Sequence, residues 1–178
     1  MLILPLLDKH ALYVAHVYQA AFAGYPWFDK LSIKEVMASI TPMFLKPGFS
    51  GVVAVEGHEI VGAHWHDILS LGRLRSERGD DLAHWVIQKG YAEWLLVWER
   101  ELFVHPDFQR KGFAHQLRQE FLRQLQSYQL PLLALTRLRA DNPGTIKSAE
   151  RIGMFDTGVT TPATHPGQLR HYWALPVG

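Results

Sequence analysis

Between Val104 and Leu122 the chain reads VHPDFQRKGFAHQLRQEFL. An apolar run stops at Pro106, and Gln109-Arg110-Lys111-Gly112-Phe113-Ala114 delivers the chain to a stretch with helical periodicity. A helix that starts there leaves a row of backbone N–H groups without intrahelical partners. Those donors, backed by the positive end of the helix dipole, make a site for an anion. Gly112 lets the backbone approach closely or adopt positive φ, Ala114 keeps the helix start free of bulk, and Arg110 and Lys111 add charge. The natural ligand is a pyrophosphate. Neither G-x-x-x-x-G-K-[ST] nor G-x-G-x-x-G occurs, so the two commonest phosphate-binding glycine patterns do not account for it.

A second block, RADNPGTIKSAERIGM from Arg139 to Met154, follows after one helix and one strand. The pair, Q-x-x-G-x-A after V-x-P and then N-P-x-x-I with E-R-x-G-M, resembles the acetyl-CoA-binding signature of the GNAT superfamily of N-acetyltransferases. The resemblance implies acetyl-CoA as co-substrate, with the backbone amides of Gln109 through Ala114 on its pyrophosphate. It also implies that Asn142 and the short helix carrying Ser148 flank the pantetheine arm. A bulge in the central strand, at Phe103 and Val104 with Leu102 as near neighbour, would splay that strand from the next and aim a backbone N–H at the thioester carbonyl.

Acetyl transfer to an amine needs a neutral nitrogen, a stabilised oxyanion and a proton for the departing thiolate. An alkyl amine with a pKa of ~10.4 is only about one part in a thousand neutral at pH 7, so a base helps. Glu99 and Glu101 lie on the central strand, with Glu93 at its start, and alternation puts Glu99 and Glu101 on one face. Glu101 is the first choice. The competing reading pairs either carboxylate with Arg100 or Arg137, or leaves it in solvent. For the acid, many family members carry a tyrosine where this chain has Ala149. Ser148 is adjacent but rotated by about 100°, so Tyr172, a water, or an unassisted thiolate are the alternatives.

Acceptor recognition is expected from the first half. Tyr25, Trp27 and Phe28 in "GYPWFD", with Trp65 and Trp85, could wall a pocket for an ammonium or a ring, or could simply fill core. His64 and His66 form His-x-His on one strand, but no third ligand stands at suitable spacing, so no metal is expected.

The elements that must position these residues follow from periodicity. After an opening strand, Asp8 is placed to cap a helix marked by Ala11, Val14, Ala15, Tyr18, Ala21 and Phe22, with Gly24 and Pro26 ending it. Ser32 and Glu35 form a capping box for a second helix over Ile33–Leu45, closed by Pro47-Gly48. Val52–Val55 and Glu59–Leu69 read as a hairpin around Gly57. The segment at about 70–92 is charged and then amphipathic, with Leu82, Trp85 and Val86 on one face, and reads as an insertion or lid. Glu93–Val104 is too apolar for a one-sided strand and is expected at the sheet centre.

Leu117, Phe121, Leu122 and Leu125 mark the buried face of a helix over Ala114–Tyr128, with Arg118, Gln119, Arg123 and Gln126 outward. A strand, LLALTRL, follows Pro131, then a short helix from Asn142-Pro143 to Gly153. Strands over Phe155–Val159 and Arg170–Leu175 finish the chain around a Pro/Gly/Thr loop. The expectation is a single α/β (α+β) domain over residues 1–178, a mixed sheet of about seven strands with about four helices and the insertion.

Composition narrows the function classes. With 48% apolar and 20% charged residues, a disordered chain is excluded, and a net charge of +1 is too weak to make nucleic acid or an anionic membrane the main partner. Zero cysteines exclude a disulfide framework and a thiolate nucleophile and fit a cytoplasmic location. MLILPLLDKH lacks a basic n-region and a cleavage site, and no window approaches the roughly 20 apolar residues of a membrane span. The expected function is acetyl-CoA-dependent transfer of an acetyl group to a primary amine of a small molecule. The alternatives are a non-catalytic acyl-CoA sensor and a peptide or protein N-acetyltransferase, and the resemblance is compatible with a homodimer.

Overall fold

A computed structural model describes residues 2–25, 27–163 and 168–178. Among them run seven strands, β1 (Leu2–Pro5), β2 (Ser50–Glu56), β3 (Glu59–Leu69), β4 (Leu95–Val104), β5 (Leu132–Arg139), β6 (Phe155–Pro162) and β7 (Leu169–Val177). They form one mixed sheet in the order β1-β2-β3-β4-β5-β7-β6, with the apolar β4 in the middle as its composition requires. Six helices accompany them: α1 (Ala11–Phe22), α2 (Ile33–Ile40), α3 (Leu71–Arg78), α4 (Asp80–Gln88), α5 (Phe113–Gln126) and α6 (Pro143–Glu150). The expected four become six because the segment read as an insertion folds into α3 and α4. Among the described residues, no helix is long and apolar enough to cross a membrane.

Local signals explain most boundaries. Ser32 Oγ accepts from the Glu35 N–H at 3.3 Å while the Ser32 N–H donates to Glu35 Oε2 at 2.7 Å, the reciprocal exchange expected of a capping box. The helix it opens stops at Ile40, because Pro42 lies in the next turn and Thr41–Leu45 tighten into a 3-10 helix. Asp8 is not the cap of α1. It sits in a 3-10 turn over Asp8–His10, where its Oδ1 accepts from the Lys9 N–H at 2.7 Å. At the other end the Gly24 carbonyl accepts from the Trp27 and Phe28 N–H groups at 3.0 and 2.9 Å. Pro26, expected to share in ending α1, lies outside the described residues, as do residues 164–167 of the loop expected between the last strands.

Two compact units are built from interleaved segments, Met1–Asp67 with Arg100–Phe121, and Ile68–Glu99 with Leu122–Gly178. In the first, strand alternation separates two cores. Val53 and Phe103 pack with Val14, Phe22, Val36 and Ile40 of α1 and α2, whereas Val52, Ala54 and Val104 pack with Phe113 and Leu117 of α5. The β2–β3 pairing steps from Ala54↔Gly62 to Val55↔Ile60, leaving Val61 as an extra residue in a bulge. The Val61 carbonyl turns to accept the His105 N–H at 2.8 Å, which ties this bulge to the end of β4.

Gly62 makes the close approach. A Cβ there would lie 2.9 Å from the Phe103 carbonyl oxygen, 3.2 Å from Val104 Cγ2 and 3.3 Å from Leu117 Cδ1. On α5, Arg118 is fully buried rather than outward. Position explains this: Arg118 stands three, four and seven residues before Phe121, Leu122 and Leu125, on the face they mark.

In the second unit, Leu74, Leu82 and Val86 of α3 and α4 are fully buried against Leu96, Trp98, Leu133, Leu135 and Tyr172. The Arg78 guanidinium lies 4.4 Å from the Trp98 ring centroid, and the Arg78 carbonyl accepts from Tyr172 Oη at 2.9 Å. These helices are therefore a layer of this unit's core and not a lid laid over it. β5 and β7 pair antiparallel along Leu132–Arg139, and β6 ends the sheet with a register shift between Asp156 and Thr160.

Gly62→Ala is expected to destabilise the protein by about 1–3 kcal/mol, because a backbone oxygen cannot move out of the way as a flexible side chain would. Gly24→Ala, where a Cβ meets nothing within 4 Å, should stay within about 0.5 kcal/mol. Urea unfolding of the two variants checks the contrast.

Candidate active site

β4 ends at Val104 and a 3-10 turn over Pro106–Phe108 follows. His105 Nδ1 accepts from the Asp107 N–H at 3.3 Å, and Gln109 Nε2 reaches back to the Val104 carbonyl at 3.1 Å. The Gln109 side chain thus fastens the loop to the strand end, while its backbone N–H donates to the Pro106 carbonyl at 3.2 Å. Gln109 has φ −66°, Arg110 +61° and Gly112 +87°. Positive φ thus stands on either side of Lys111. For Arg110, a residue with a Cβ, this conformation is uncommon.

Arg110, Lys111 and Gly112 are exposed, and a Cβ on Gly112 would meet only Gln116 Nε2, at 3.9 Å. Lys111 Nζ sits 4.9 Å from the Phe108 ring centroid, and Phe108 packs edge-on to Phe113, the buried first residue of α5. Ala114 packs partly buried against the same core. Backbone donors, two cations and open space around the glycine are the donor set and room a diphosphate requires.

On β4, Leu102 and Val104 pack toward α5, while Phe103 faces α1 and α2. Glu101, two residues before Phe103, shares its face and is partly buried. There Phe103 meets Tyr18 at 5.2 Å, Phe22 at 5.9 Å and Trp65 at 5.5 Å between ring centroids, and Tyr18 stacks on Phe22 at 4.3 Å. Burial pushes the Tyr18 phenol well above its usual range, and the carboxylates of Glu101 and Asp29 push it further.

Tyr18 and Asp29 were not singled out from the sequence. Tyr18 falls in the apolar stripe of α1 and reads as core, although its place one turn before Phe22 already puts it beside that ring.

Of the proposed acceptor aromatics, Trp27 is partly buried against Phe22 at 5.2 Å. Tyr25 and Phe28 are exposed at 72% and 58%, and contact each other edge-on at 6.1 Å, with Phe28 at φ +52°. Trp65 is buried in the α1/α2 core and supports Phe103 from within. Trp85 belongs to the other unit, packed on Tyr91 and Phe155. The His64 and His66 rings lie on Phe121, 4.6 and 5.0 Å away, and no group of three ligand-type side chains occurs among the described residues.

Arg100, one suggested partner for the strand glutamates, forms a fork with Asp67, Nε to Oδ1 at 2.6 Å and Nη2 to Oδ2 at 2.8 Å. The two are largely buried, so this pair ties β4 to β3.

In the second unit, Glu99 is buried, and its carbonyl is 3.5 Å from Thr136 Oγ1, at the limit for a hydrogen bond. The parallel pairing of β4 with β5 covers Leu95–Trp98 against Leu132–Leu135, and each strand runs on past it. Asn142 caps α6, its Oδ1 accepting from the Thr145 N–H at 3.3 Å. Arg139 grips both oxygens of the neighbouring Asp141 at 2.8 Å and also bonds Gln168, which stiffens the turn that presents Asn142. Ser148 is buried, its Oγ without a hydrogen-bond partner among the described residues, and Ala149 is fully buried. Tyr172 has its phenol proton committed to the Arg78 carbonyl.

The sequence pattern of the Acetyltransferase (GNAT) family matches residues 14–154. No curated protein matches the chain. Among solved structures, the ribosomal-protein-S18-alanine N-acetyltransferase of Escherichia coli is 16% identical, with a TM-score of 0.68 over 98% of this chain and 92% of that one. NAA60 of Arabidopsis thaliana, solved with a bisubstrate analogue, is 13% identical, with a TM-score of 0.71 over 98% of this chain and 97% of that one. The aminoglycoside 6'-N-acetyltransferase AAC(6')-IG of Acinetobacter haemolyticus is 12% identical, with a TM-score of 0.65 over 93% of this chain and 98% of that one. At these identities the likeness is one of fold, a mixed sheet with flanking helices. The family match runs from within α1 through the second signature block, so the chain belongs to the acetyltransferase (GNAT) family, whose co-substrate is acetyl-CoA.

Proposed function

We propose that this chain, acting as one domain over residues 1–178 in the cytoplasm, transfers the acetyl group of acetyl-CoA directly to the primary amine of a small molecule. The observation that carries the reading is the division of labour along β4. Its end launches the anion loop, while Glu101 and Phe103 face an aromatic cluster that includes Trp27. Relatives of this fold named for protein acceptors and for an aminoglycoside do not decide between acceptors.

Acetyl-CoA, when bound, supplies an acyl carbon activated as a thioester. The backbone amides of Arg110 through Ala114, with the Arg110 and Lys111 side chains, hold its diphosphate, and Gln109, whose N–H is given to the Pro106 carbonyl, braces the loop behind them. Phe103 and Val104 present backbone to the thioester, and Asn142 and Ser148 line the pantetheine arm. Tyr25, Trp27 and Phe28 contact the acceptor, with Trp65 backing Phe103. Glu101 takes a proton from the acceptor's ammonium, directly or through a water, and Glu99 is the second candidate. The freed nitrogen forms the new C–N bond as the C–S bond breaks, and the surplus nitrogen proton passes through water to the departing sulfur.

Ala149 supports a second reading, an acyl-CoA-binding module without turnover, since no phenol stands at that position and the Tyr172 proton is engaged elsewhere. Release of CoA during a screen of amines, with tight acetyl-CoA binding as the control, separates the two.

Two variants test the machinery. Gly112→Ala and Gly112→Glu both carry the strain of a side chain at φ +87°, but only the glutamate adds repulsion. Calorimetry is expected to find acetyl-CoA affinity reduced at least about tenfold more by glutamate than by alanine, a gap of about 1.4 kcal/mol. Equal losses would remove the loop as the diphosphate site.

Glu101→Gln is expected to lower kcat about 100-fold near pH 7, within the range for a general base, with the deficit shrinking as pH approaches the amine's own pKa and the nitrogen needs no help. A deficit that is flat across the pH–rate profile argues against Glu101 as the base.

A further inference from the structure

Two aromatic residues on the acceptor side of β4 are only partly buried and carry a polar tip, Trp27 and Tyr18, and of the two it is Tyr18 that meets Phe103. Phe22, Phe103 and Trp65 are buried, whereas Tyr18 is half-buried and carries a polar tip. Its hydroxyl makes no hydrogen bond among the described residues, although its ring is fixed by stacking on Phe22 at 4.3 Å and by the edge of Phe103 at 5.2 Å. A ring held this firmly is pre-organised.

The surroundings of that phenol are negative. Glu101 shares the Phe103 face of β4. Asp29 is tied to the same cluster through its backbone N–H, which donates to the Phe22 carbonyl at 2.9 Å. Burial, and after it the carboxylates of Glu101 and Asp29, keep the Tyr18 hydroxyl protonated beyond the usual tyrosine range. A neutral phenol beside two carboxylates favours a cation, since a ring face attracts positive charge and the carboxylates add to that attraction.

We propose that Tyr18 is an acceptor-specificity residue: its ring, fixed by Phe22 and Phe103 on the face of β4 that carries Glu101, selects an acceptor that arrives as an aliphatic ammonium over a neutral arylamine. This rests on the acetyl-transfer reading for the fate of the bound amine, but not for the binding preference itself. Charge selection at this point also serves the chemistry, because the ammonium is captured in its abundant form beside the group that must deprotonate it.

Benzylamine, protonated at pH 7, and aniline, neutral there, have similar size and test the charge preference. Titration calorimetry on the full chain is expected to show benzylamine binding at least about tenfold tighter than aniline. Tyr18→Leu should bring the ratio close to one, Tyr18→Phe should keep most of it, and exposed Asp29→Asn, a change that leaves the core untouched, should lower it several-fold. A wild-type ratio near one, or a ratio unmoved by both Tyr18→Leu and Asp29→Asn, overturns the proposal. Acetyl-CoA affinity measured on the same variants should not change. If the wild type fails to bind acetyl-CoA, the acetyl-transfer reading falls, and the amine ratio still decides the role of Tyr18.

Discussion

The backbone of β4 at Phe103 lies so near β3 that only a residue without a side chain fits between them. That approach, Gly62 under the Phe103 carbonyl, fixes the register on which the rest of the first unit depends. With it set, alternation sends Phe103 and Glu101 to the α1/α2 face and Val104 to the α5 face. The Val104 carbonyl is then in place to receive Gln109, and the bulged Val61 carbonyl to receive the His105 N–H. The proposed base and the proposed anion loop are thus referred to the same few residues of one strand.

Polar groups carry the rest of that alignment. Arg100 and Asp67 exchange two hydrogen bonds out of solvent, a contact that adds little net stability but is costly to break from one side. Near α6, Arg139 plays a comparable part, holding Asp141 and Gln168 so that the Asn142 turn has a single shape. Each arginine sets its buried charge against a carboxylate.

Much of this was legible in the chain because local rules act over a few residues. The Ser32/Glu35 capping box, the apolar β4 and the Gly57 hairpin follow from spacing alone, and the two signature blocks point to the family. What escaped depends on contacts between distant segments. Arg118 was read outward from its charge, although its spacing to Phe121 and Leu125 puts it on the buried face. The extra residue at Val61 leaves no mark in a run of strand formers. Tyr18 looked like one more apolar position, since its unusual setting is created by Glu101 and Asp29, far along the chain or in a loop. The segment before β4 looked detachable because its first half is charged, yet a few fully buried leucines and a valine suffice to make it core.

The last strand of the sheet has a bearing on how the protein behaves when crowded. β6 is mostly exposed along its length, interrupted between Asp156 and Thr160, bent at Gly158 with φ +77°, and finished by Pro162, which has no N–H to offer. A strand from a neighbouring molecule laid along it would find its hydrogen-bond ladder broken in the middle and missing a donor at the end. The edge is therefore poor seed material for cross-β aggregation, and concentrated solutions of the protein gain tolerance without a covering helix.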